Sequence, residues 1–225
     1  QVEGGKNNKL ADLYKKEKYE DCLFKAEKYI FNEKTMDDPE PYLYMSMSYF
    51  QLANSKDEEI LEYMPNALKD ALKYAYKFKR KDKNGSMFED NMEYIEELKK
   101  SALTEAKMYF ERENYRKAAF YLGQITRIDE NDPEVQFIKG VCDVFLFNYT
   151  GVKVNIGNSI PKIRKKGTLQ LYDAEKDLFV DAFIKYTHFL MEQNQQDSAK
   201  STIGLAKQLM PGEQEINSLF NEIAE

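Results

Sequence analysis

The sequence has few of the residues that most catalytic sites require: one histidine, two cysteines and no tryptophan in 225 residues. His188 is the sole imidazole, which excludes a histidine metal cluster and an HExxH motif. Phosphate-binding GxxxxGK[ST] loops, GxGxxG loops and GxSxG elbows do not occur. These absences predict that the chain is not an enzyme and needs no cofactor or metal.

The two cysteines, Cys22 and Cys142, are far apart and form neither a CxxC pair nor a disulfide framework. Spacing alone does not exclude a pair of either cysteine with His188, because such partners meet only in space. Both cysteines, however, lie among apolar residues with helical spacing. We therefore expect two buried, unreactive thiols rather than a nucleophile.

Glycine and proline are also scarce, with ten and six residues, which favours helices over a turn-rich β fold. The net charge of −6 is dispersed along the chain, so the basic surface of a nucleic-acid-binding protein is not expected. The richest apolar run, residues 141–146, is far too short to span a membrane. A start at Gln1 rather than Met is what removal of an export signal would leave. Export to a periplasm or out of the cell is therefore one expectation, and the compartment stays open.

Three segments share one pattern of spacing, in which a large residue precedes a polar turn, a small residue and two further apolar positions. The segments are Leu13, Tyr19, Cys22, Ala26, Tyr29; Tyr109, Tyr115, Ala118, Leu122, Ile125; and Leu190, Gln196, Ala199, Ile203, Ala206. Intervals of four and three place the later residues on one helix face. A proline follows each segment. The pattern predicts repeated pairs of antiparallel helices, in which the small residue permits close approach.

This pattern resembles the tetratricopeptide repeat (TPR), in which helix pairs stack. Tyr42, Met45, Ser46 and Tyr49 also occupy the aromatic, apolar, small and tyrosine positions of a first helix. The glycine usual at the turn between the helices is replaced by Glu17, Glu113 or Asn194. The resemblance implies an all-α, right-handed superhelix of antiparallel helix pairs, a TPR-like α-solenoid. We expect a single domain over residues 1–225, with units at about 7–38, 40–83, 87–132, 134–177 and 178–211 and a capping helix at 213–224.

Several segments depart from the repeat. An insertion at residues 54–63 delays a second helix that begins near Pro65 and runs to about Arg80. Residues 87–114 are expected to form one unusually long helix. Residues 135–147 are apolar on nearly all sides and predict a central buried helix, although its register stays open. Residues 148–176, with three glycines and Pro161, predict a long irregular loop that could hold a short hairpin or a short helix.

The resemblance further implies a non-catalytic scaffold or adaptor that binds a partner peptide or helix on a concave face. Family members present first helices on that face, and apolar and aromatic residues dominate its positions here. The predicted binding face comprises Tyr14, Leu43, Met47, Phe50, Leu103, Lys107, Phe110, Ile184, His188 and Met191. Recognition is expected to be mainly apolar, because lysines of a carboxylate clamp are not repeated along successive helices. Extra helices or the long loop could instead cover this face and make it core.

Two basic runs need separate interpretations. Lys77, Lys79, Arg80, Lys81 and Lys83 close a predicted helix, where cations suit the negative end of the helix dipole. The run of Lys162, Arg164, Lys165 and Lys166 falls in the predicted loop, where contact with an acidic partner or a phosphate is the alternative to a solvated loop. The second function class is an accessory binding protein for a small molecule, glycan or lipid held between helices. The partner and the oligomeric state are not predicted.

Overall fold

A computed structural model describes residues 8–167, 169, 171 and 173–224. Every regular element among these residues is an α-helix, which confirms the all-α class. The helices are α1 Asn8–Lys15, α2 Tyr19–Ile30, α3 Pro39–Ala53, α4 Glu58–Tyr63, α5 Ala67–Lys81, α6 Ser86–Asp90, α7 Met92–Glu111, α8 Tyr115–Ile128, α9 Pro133–Phe145, α10 Tyr149–Arg164, α11 Asp173–Glu192, α12 Gln196–Leu209 and α13 Gln214–Ala224. None of the described helices combines the length and apolarity needed to cross a bilayer.

The chain divides into two compact units, one ending at Lys99 and one beginning at Lys100, with the division inside α7. The first unit contains α1 to α6 and the start of α7. The second contains the rest of α7 and α8 to α13. That residues 1–225 act as one domain stays a prediction.

Within the described residues, three-residue turns join four helix pairs: α1–α2, α7–α8, α9–α10 and α11–α12. The middle residue of each turn has left-handed backbone geometry, with φ between 56° and 58°. These residues are Glu17, Glu113, Phe147 and Asn194. The following amide donates to the carbonyl five residues earlier, as Lys18 does to Leu13 at 3.0 Å and Asn114 to Tyr109 at 2.8 Å. The pattern satisfies carbonyls that the end of a helix leaves without partners, and it reverses the chain in a fixed way.

The small residues predicted at the close approach of each pair are fully buried. Cys22, Ala118 and Ala199 are all 0% exposed. The apolar residues four and seven positions further along α8, Leu122 and Ile125, are also 0% exposed. The helix-pair register predicted from the three shared spacings is therefore confirmed.

The first unit adds one helix to the sequence prediction and corrects another. The insertion holds the short helix α4, and the next helix begins at Ala67, close to the predicted start near Pro65. The prediction of one long helix over residues 87–114 is wrong, because Asn91 interrupts the helix between α6 and α7. The Asn91 side chain donates to the Met87 carbonyl at 2.7 Å and so caps α6.

The largest difference from the sequence prediction lies in the second unit. The long irregular loop expected over residues 148–176 is wrong, because α10 covers 16 of those residues. Its inward positions Ile156, Ser159 and Ile163 follow the helical spacing of three and four and are buried. The alternation of Val152, Val154 and Ile156 therefore does not mark a strand, and Pro161 lies inside the helix.

The register of α9, left open by the sequence, is fixed by its turn. The Asn148 amide donates to the Asp143 carbonyl at 2.9 Å, so Asp143 occupies the position that Leu13, Tyr109 and Leu190 hold in the other pairs. As predicted, α9 is buried on nearly all sides, with Phe137 stacked on Phe183 of α11 at 4.4 Å between ring centroids. A fourth helix pair thus stands where an irregular unit was expected.

Candidate functional site

The second unit contains an open cleft with a volume of about 510 Å³, which we call the acidic cleft. The end of α7, the first half of α11 and the turn leading into α13 form its walls. Its charged lining residues are Lys107, Glu111, Asp177, Asp181, Glu213 and Glu215. Five carboxylates therefore face one ammonium group, and the cleft carries an excess of negative charge.

Helical spacing brings these charges together. Lys107 and Glu111 are four residues apart on α7, and Asp177 and Asp181 are four apart on α11, so each pair shares one helix face. The apolar side of α11 is packed into the core, where Leu178, Ala182 and Phe183 are 0% exposed. Burial of that side turns the two aspartates towards the cleft.

Lys107 is the cation of the cleft and bridges its two helices. Its ammonium makes a short ion pair with Asp177 and lies 3.7 Å from the Glu111 carboxylate. The hydrogen bond to Asp177, together with the charges of Asp177 and Glu111, raises the pKa of Lys107 above its ordinary value despite some desolvation. At the rim, Lys176 pairs with Glu213 at 2.6 Å. Lys107 thus remains charged and neutralises only part of the cleft.

Asp181 has no hydrogen bond or ion pair to any residue in the described part of the chain. Burial raises the pKa of its carboxyl first, and the negative charges of Glu111 and Glu215 raise it further. The charges of Lys107 and Lys185 oppose that shift. Ionised Asp181 therefore lacks a partner within bonding distance, and a cation entering the cleft would supply one.

Of the predicted binding face, only Lys107 lines the acidic cleft. Ile184 and His188 continue the face of α11 that carries Asp181, at spacings of three and seven residues, and Met191 lies one turn further along. Ile184 and Met191 are half-buried, and His188 is exposed. These three residues extend the surface beside the cleft but do not line it.

Four residues of the predicted face are not accessible, and their assignment to an exposed surface is wrong. Leu43 and Phe110 are 0% exposed, Leu103 is 1% exposed and Phe50 is 6% exposed. Phe110 packs edge-on against Tyr115 with centroids 5.4 Å apart, and Phe50 packs in the same way against Tyr94 at 5.8 Å. First helices contact several neighbours, so their apolar sectors are wider than one packing face.

Tyr14 and Met47 belong to the first unit and are half-buried against its core. The Tyr14 hydroxyl accepts a hydrogen bond from the Gln51 side chain at 3.2 Å, and its ring packs against Tyr19 and Tyr44 at 5.3 and 5.9 Å. Burial raises the pKa of the Tyr14 hydroxyl, so it is a neutral group at ordinary pH. That these two residues bind a partner stays a prediction.

The basic run also lies elsewhere than expected. Lys162 and Arg164 occupy the last turn of α10 and Lys165 caps it, where cations favour the negative helix end. Lys166 follows and pairs with Glu134 at 2.7 Å. The Glu134 side chain is 3% exposed, so Lys166 compensates a buried charge. The assignment to a loop is therefore wrong for Lys162 and Arg164, whereas Lys165 and Lys166 lie in the turn after the helix.

Both cysteines are buried at 0% exposure, as predicted. Burial is the main cause that raises the pKa of each thiol, which disfavours the thiolate that a nucleophile requires. The described residues contain no group of three or more His, Cys, Asp or Glu side chains placed to hold a metal.

Sequence reasoning missed most of the cleft acids, although one signal for them was present. Asp177 and Asp181 form a like-charge pair at i and i+4, which destabilises an isolated helix by a few tenths of a kcal/mol. Glu213 lies in the turn before α13, and Glu215 lies in the first turn of α13. Their approach to α11 depends on tertiary packing alone.

Comparison with known proteins gives little for this chain. No protein-family model matches it, and no curated protein matches it. Among solved structures it is similar to one described as the TPR2AB domain in a pHSP90 complex of yeast Sti1, with 17% identity, coverage of 97% of this chain and 84% of that chain, and a TM-score of 0.37. The fold class therefore rests on the helices and turns themselves, and TPR remains a resemblance.

Proposed function

We propose that the chain is a non-catalytic protein-interaction module whose acidic cleft binds a Lys- or Arg-bearing segment of a partner protein. The observation that carries this proposal is Asp181, a partly buried carboxylate with a raised pKa and no bonded cation in the described chain. A partner ammonium or guanidinium placed beside Asp181 would form a charge-assisted hydrogen bond. It would also relieve the repulsion among Asp181, Glu111 and Glu215.

The neighbouring residues suit a peptide better than a single ion. Ile184 and His188 continue along α11 from Asp181 and offer apolar and polar contacts beyond the charged cleft. The partner's cation in the cleft would provide specificity, and the adjoining surface of α11 would add buried contact area. Recognition at the cleft is thus electrostatic, in contrast to the mainly apolar recognition expected from the sequence.

The second candidate is an accessory binding protein for a small molecule. A volume of about 510 Å³ lies within the range of small-ligand pockets, and a cleft of this size favours this alternative over a flat interface. The excess of carboxylates restricts the ligand to a polyamine-like cation. A neutral glycan or an anionic lipid carries no positive charge to offset these carboxylates.

Fluorescence anisotropy with a labelled Lys/Arg-rich octapeptide tests the proposal. We expect saturable binding that weakens with added salt and falls on the order of tenfold for Asp181→Asn and for Glu111→Gln. Glu62→Gln, which removes an exposed carboxylate in the first unit, is the matched control and should leave binding unchanged. Equal binding by all three variants would contradict the proposal. Binding of spermidine at the cleft without binding of the peptide would favour the small-molecule alternative.

A further inference from the structure

Helix α5 of the first unit carries a row of cations along its solvent side. Lys69, Lys73, Lys77 and Arg80 follow one another at intervals of four, four and three residues, so they lie on one helix face. We call this row the basic stripe. Residues 67–83 contain seven Lys and Arg against two Asp, although the chain as a whole has a net charge of −6.

The helix dipole explains only the end of this run. α5 ends at Lys81, and the dipole acts within the last turn. Lys73 and Lys77 lie before that turn, where like charges at i and i+4 destabilise the helix. The interpretation of the run from Lys77 to Lys83 as a basic helix end therefore does not explain the cations in the middle of the stripe, Lys73 and Lys77.

The cations of α5 differ in how far the first unit neutralises them. Lys81 pairs with Asp37 at 2.6 Å, and Lys73 reaches Asp70 at 3.6 Å. The Lys77 ammonium lies 4.8 Å from the centre of the Tyr74 ring and has no acidic partner among the described residues. Burial and the charge of Lys73 both lower the pKa of Lys77, so the middle of the stripe holds positive charge at a cost.

Arg80 is in a similar position at the end of the stripe. Its guanidinium lies 5.8 Å from the centre of the Tyr76 ring, and no carboxylate of the described chain pairs with it. Lys77 and Arg80, three residues apart, therefore present two cations over tyrosine rings and without carboxylates. An incoming anion would pair with Lys77 and Arg80 without breaking an existing ion pair.

We propose that the basic stripe is a docking surface for a short acidic segment of a partner protein. From Lys69 to Arg80 the stripe spans about 16 Å along the helix axis. That length matches about five residues of extended chain, and because side chains alternate in direction, about three carboxylates of one segment can meet the cations. This inference goes beyond the acidic cleft, because it assigns a second surface of opposite charge in the other unit.

The size of the stripe favours a peptide over a long polyanion. Asp57, Glu58, Glu59 and Glu62 precede α5 in the chain, and the net charge of the whole protein is negative. A nucleic acid or an anionic bilayer extends beyond 16 Å and would be repelled by that surrounding charge. A short acidic segment confines its contacts to the stripe.

Anisotropy with a labelled hexaglutamate peptide tests this inference, with the full chain kept monomeric as verified by sedimentation. The charge reversal Lys73→Glu with Lys77→Glu should weaken binding at least tenfold. The matched control Lys153→Glu with Lys200→Glu makes the same change of net charge at exposed lysines of α10 and α12, and it should alter binding less than threefold. Binding of the Lys/Arg-rich octapeptide at the acidic cleft should persist in the stripe variant, so that failure of either surface is distinguishable.

Three results would overturn the inference. One is equal loss of hexaglutamate binding in the stripe and control variants, which would show a net-charge effect. Another is tighter binding of duplex DNA or phosphatidylserine vesicles than of hexaglutamate. The third is salt-sensitive self-association of the wild type that Lys73→Glu with Lys77→Glu abolishes, which would make a second copy of the chain the occupant.

Discussion

The α9–α10 pair and the α7–α8 pair reverse the chain in the same way but fill the space between their helices with different chemistry. Both turns have a left-handed middle residue, Phe147 or Glu113, and the same backbone hydrogen bond across the turn. At the position of Tyr109 in α7, however, α9 has the buried Asp143. The backbone of the turn thus fixes how the two helices pair. Either an apolar residue or a hydrogen-bonded carboxylate can occupy the contact between them, which we call the seam.

Asp143 is tolerated because several donors surround it. Its carboxylate accepts from the Asn148 side chain at 2.9 Å, the Asn155 side chain at 2.7 Å and Lys139 at 3.3 Å. Gly151 leaves room for this cluster, since a Cβ there would lie 2.5 Å from an Asp143 oxygen. The polar contact at Asp143 therefore depends on a glycine and on matched donors, which the apolar contact at Tyr109 does not need.

Removing the carboxylate should have the largest effect. We expect Asp143→Ala to destabilise the protein by about 3–5 kcal/mol, because it removes three hydrogen bonds to a buried carboxylate, one of them from the Lys139 ammonium. Urea unfolding measures the loss. Asp143→Asn, which keeps the size and one acceptor oxygen, should cost less. A change below about 1 kcal/mol for Asp143→Ala would show that the polar cluster does not hold the pair.

The two seams also differ in the size of the side chain three positions before the left-handed residue. Phe110 is 0% exposed and Val144 is 4% exposed, and both precede their turns by this spacing. Phe110→Ala should cost about 3–5 kcal/mol. Val144→Ala should cost about 1–2 kcal/mol, because it removes fewer buried carbons. A Phe110→Ala variant with wild-type stability would restore Phe110 to an exposed binding face.

The close approach of α9 to α10 gives a third test. A Cβ at Gly140 would lie 2.5 Å from Ile156 Cγ1 and 2.9 Å from the Ile156 backbone nitrogen. Gly140→Ala should therefore destabilise by about 1–3 kcal/mol. At Gly123 in α8, the nearest atom to a Cβ is Lys139 Cε at 3.6 Å. Gly123→Ala should stabilise the protein by about 0.5–1 kcal/mol through helix propensity. If thermal unfolding shows that both variants change the stability in the same direction, the predicted contrast between the two glycines is wrong.

The turn of α9–α10 carries a strained and exposed aromatic residue. Phe147 is 74% exposed and adopts a φ of 56°, a conformation that bulky side chains disfavour. Phe147→Asn should stabilise by about 1 kcal/mol, because asparagine tolerates left-handed geometry and little apolar burial is lost. Tyr149→Asn, at the equally exposed first residue of α10, lacks this backbone geometry and should give no gain in chemical denaturation.

Asp181 predicts the smallest effect, through pH. Asp181 has a raised pKa in the folded state, so ionisation destabilises that state once the pH rises above the ordinary value of 3.8. Asp181→Asn should therefore raise the melting temperature at pH 7, and the gain should vanish below pH 3.8, where both states are protonated. A gain that is constant from pH 3 to pH 8 would exclude this cause.

The sequence predicted what depends on helical spacing and missed what depends on satisfied polar groups. Cys22, Ala118 and Ala199 mark three pairs because their neighbours repeat at apolar intervals. The α9–α10 pair has the same intervals, but Asp143 and Ser159 stand where apolar residues are expected. The glycines and Pro161 further disguise α10 as a loop.

The candidate site was less predictable for a related reason. Lys107 was identified from its helix face, which Glu111 shares, but the other cleft acids come from α11, from the turn before α13 and from the start of α13. Periodicity places residues on a face without stating what packs against that face. For this reason Leu103 and Phe110, on the same helix as Lys107, were assigned to a surface although they are core.

Hydrogen exchange with and without the Lys/Arg-rich octapeptide tests the central claim most directly, because it maps the binding surface on the whole chain. The account predicts slower exchange on binding at residues 104–111, 177–184 and 212–215. In the free protein, α10 should be protected as a helix, and its exchange should not change on binding. Slower exchange confined to residues 149–166, or no change around Asp181, would contradict the assignment of function to the acidic cleft.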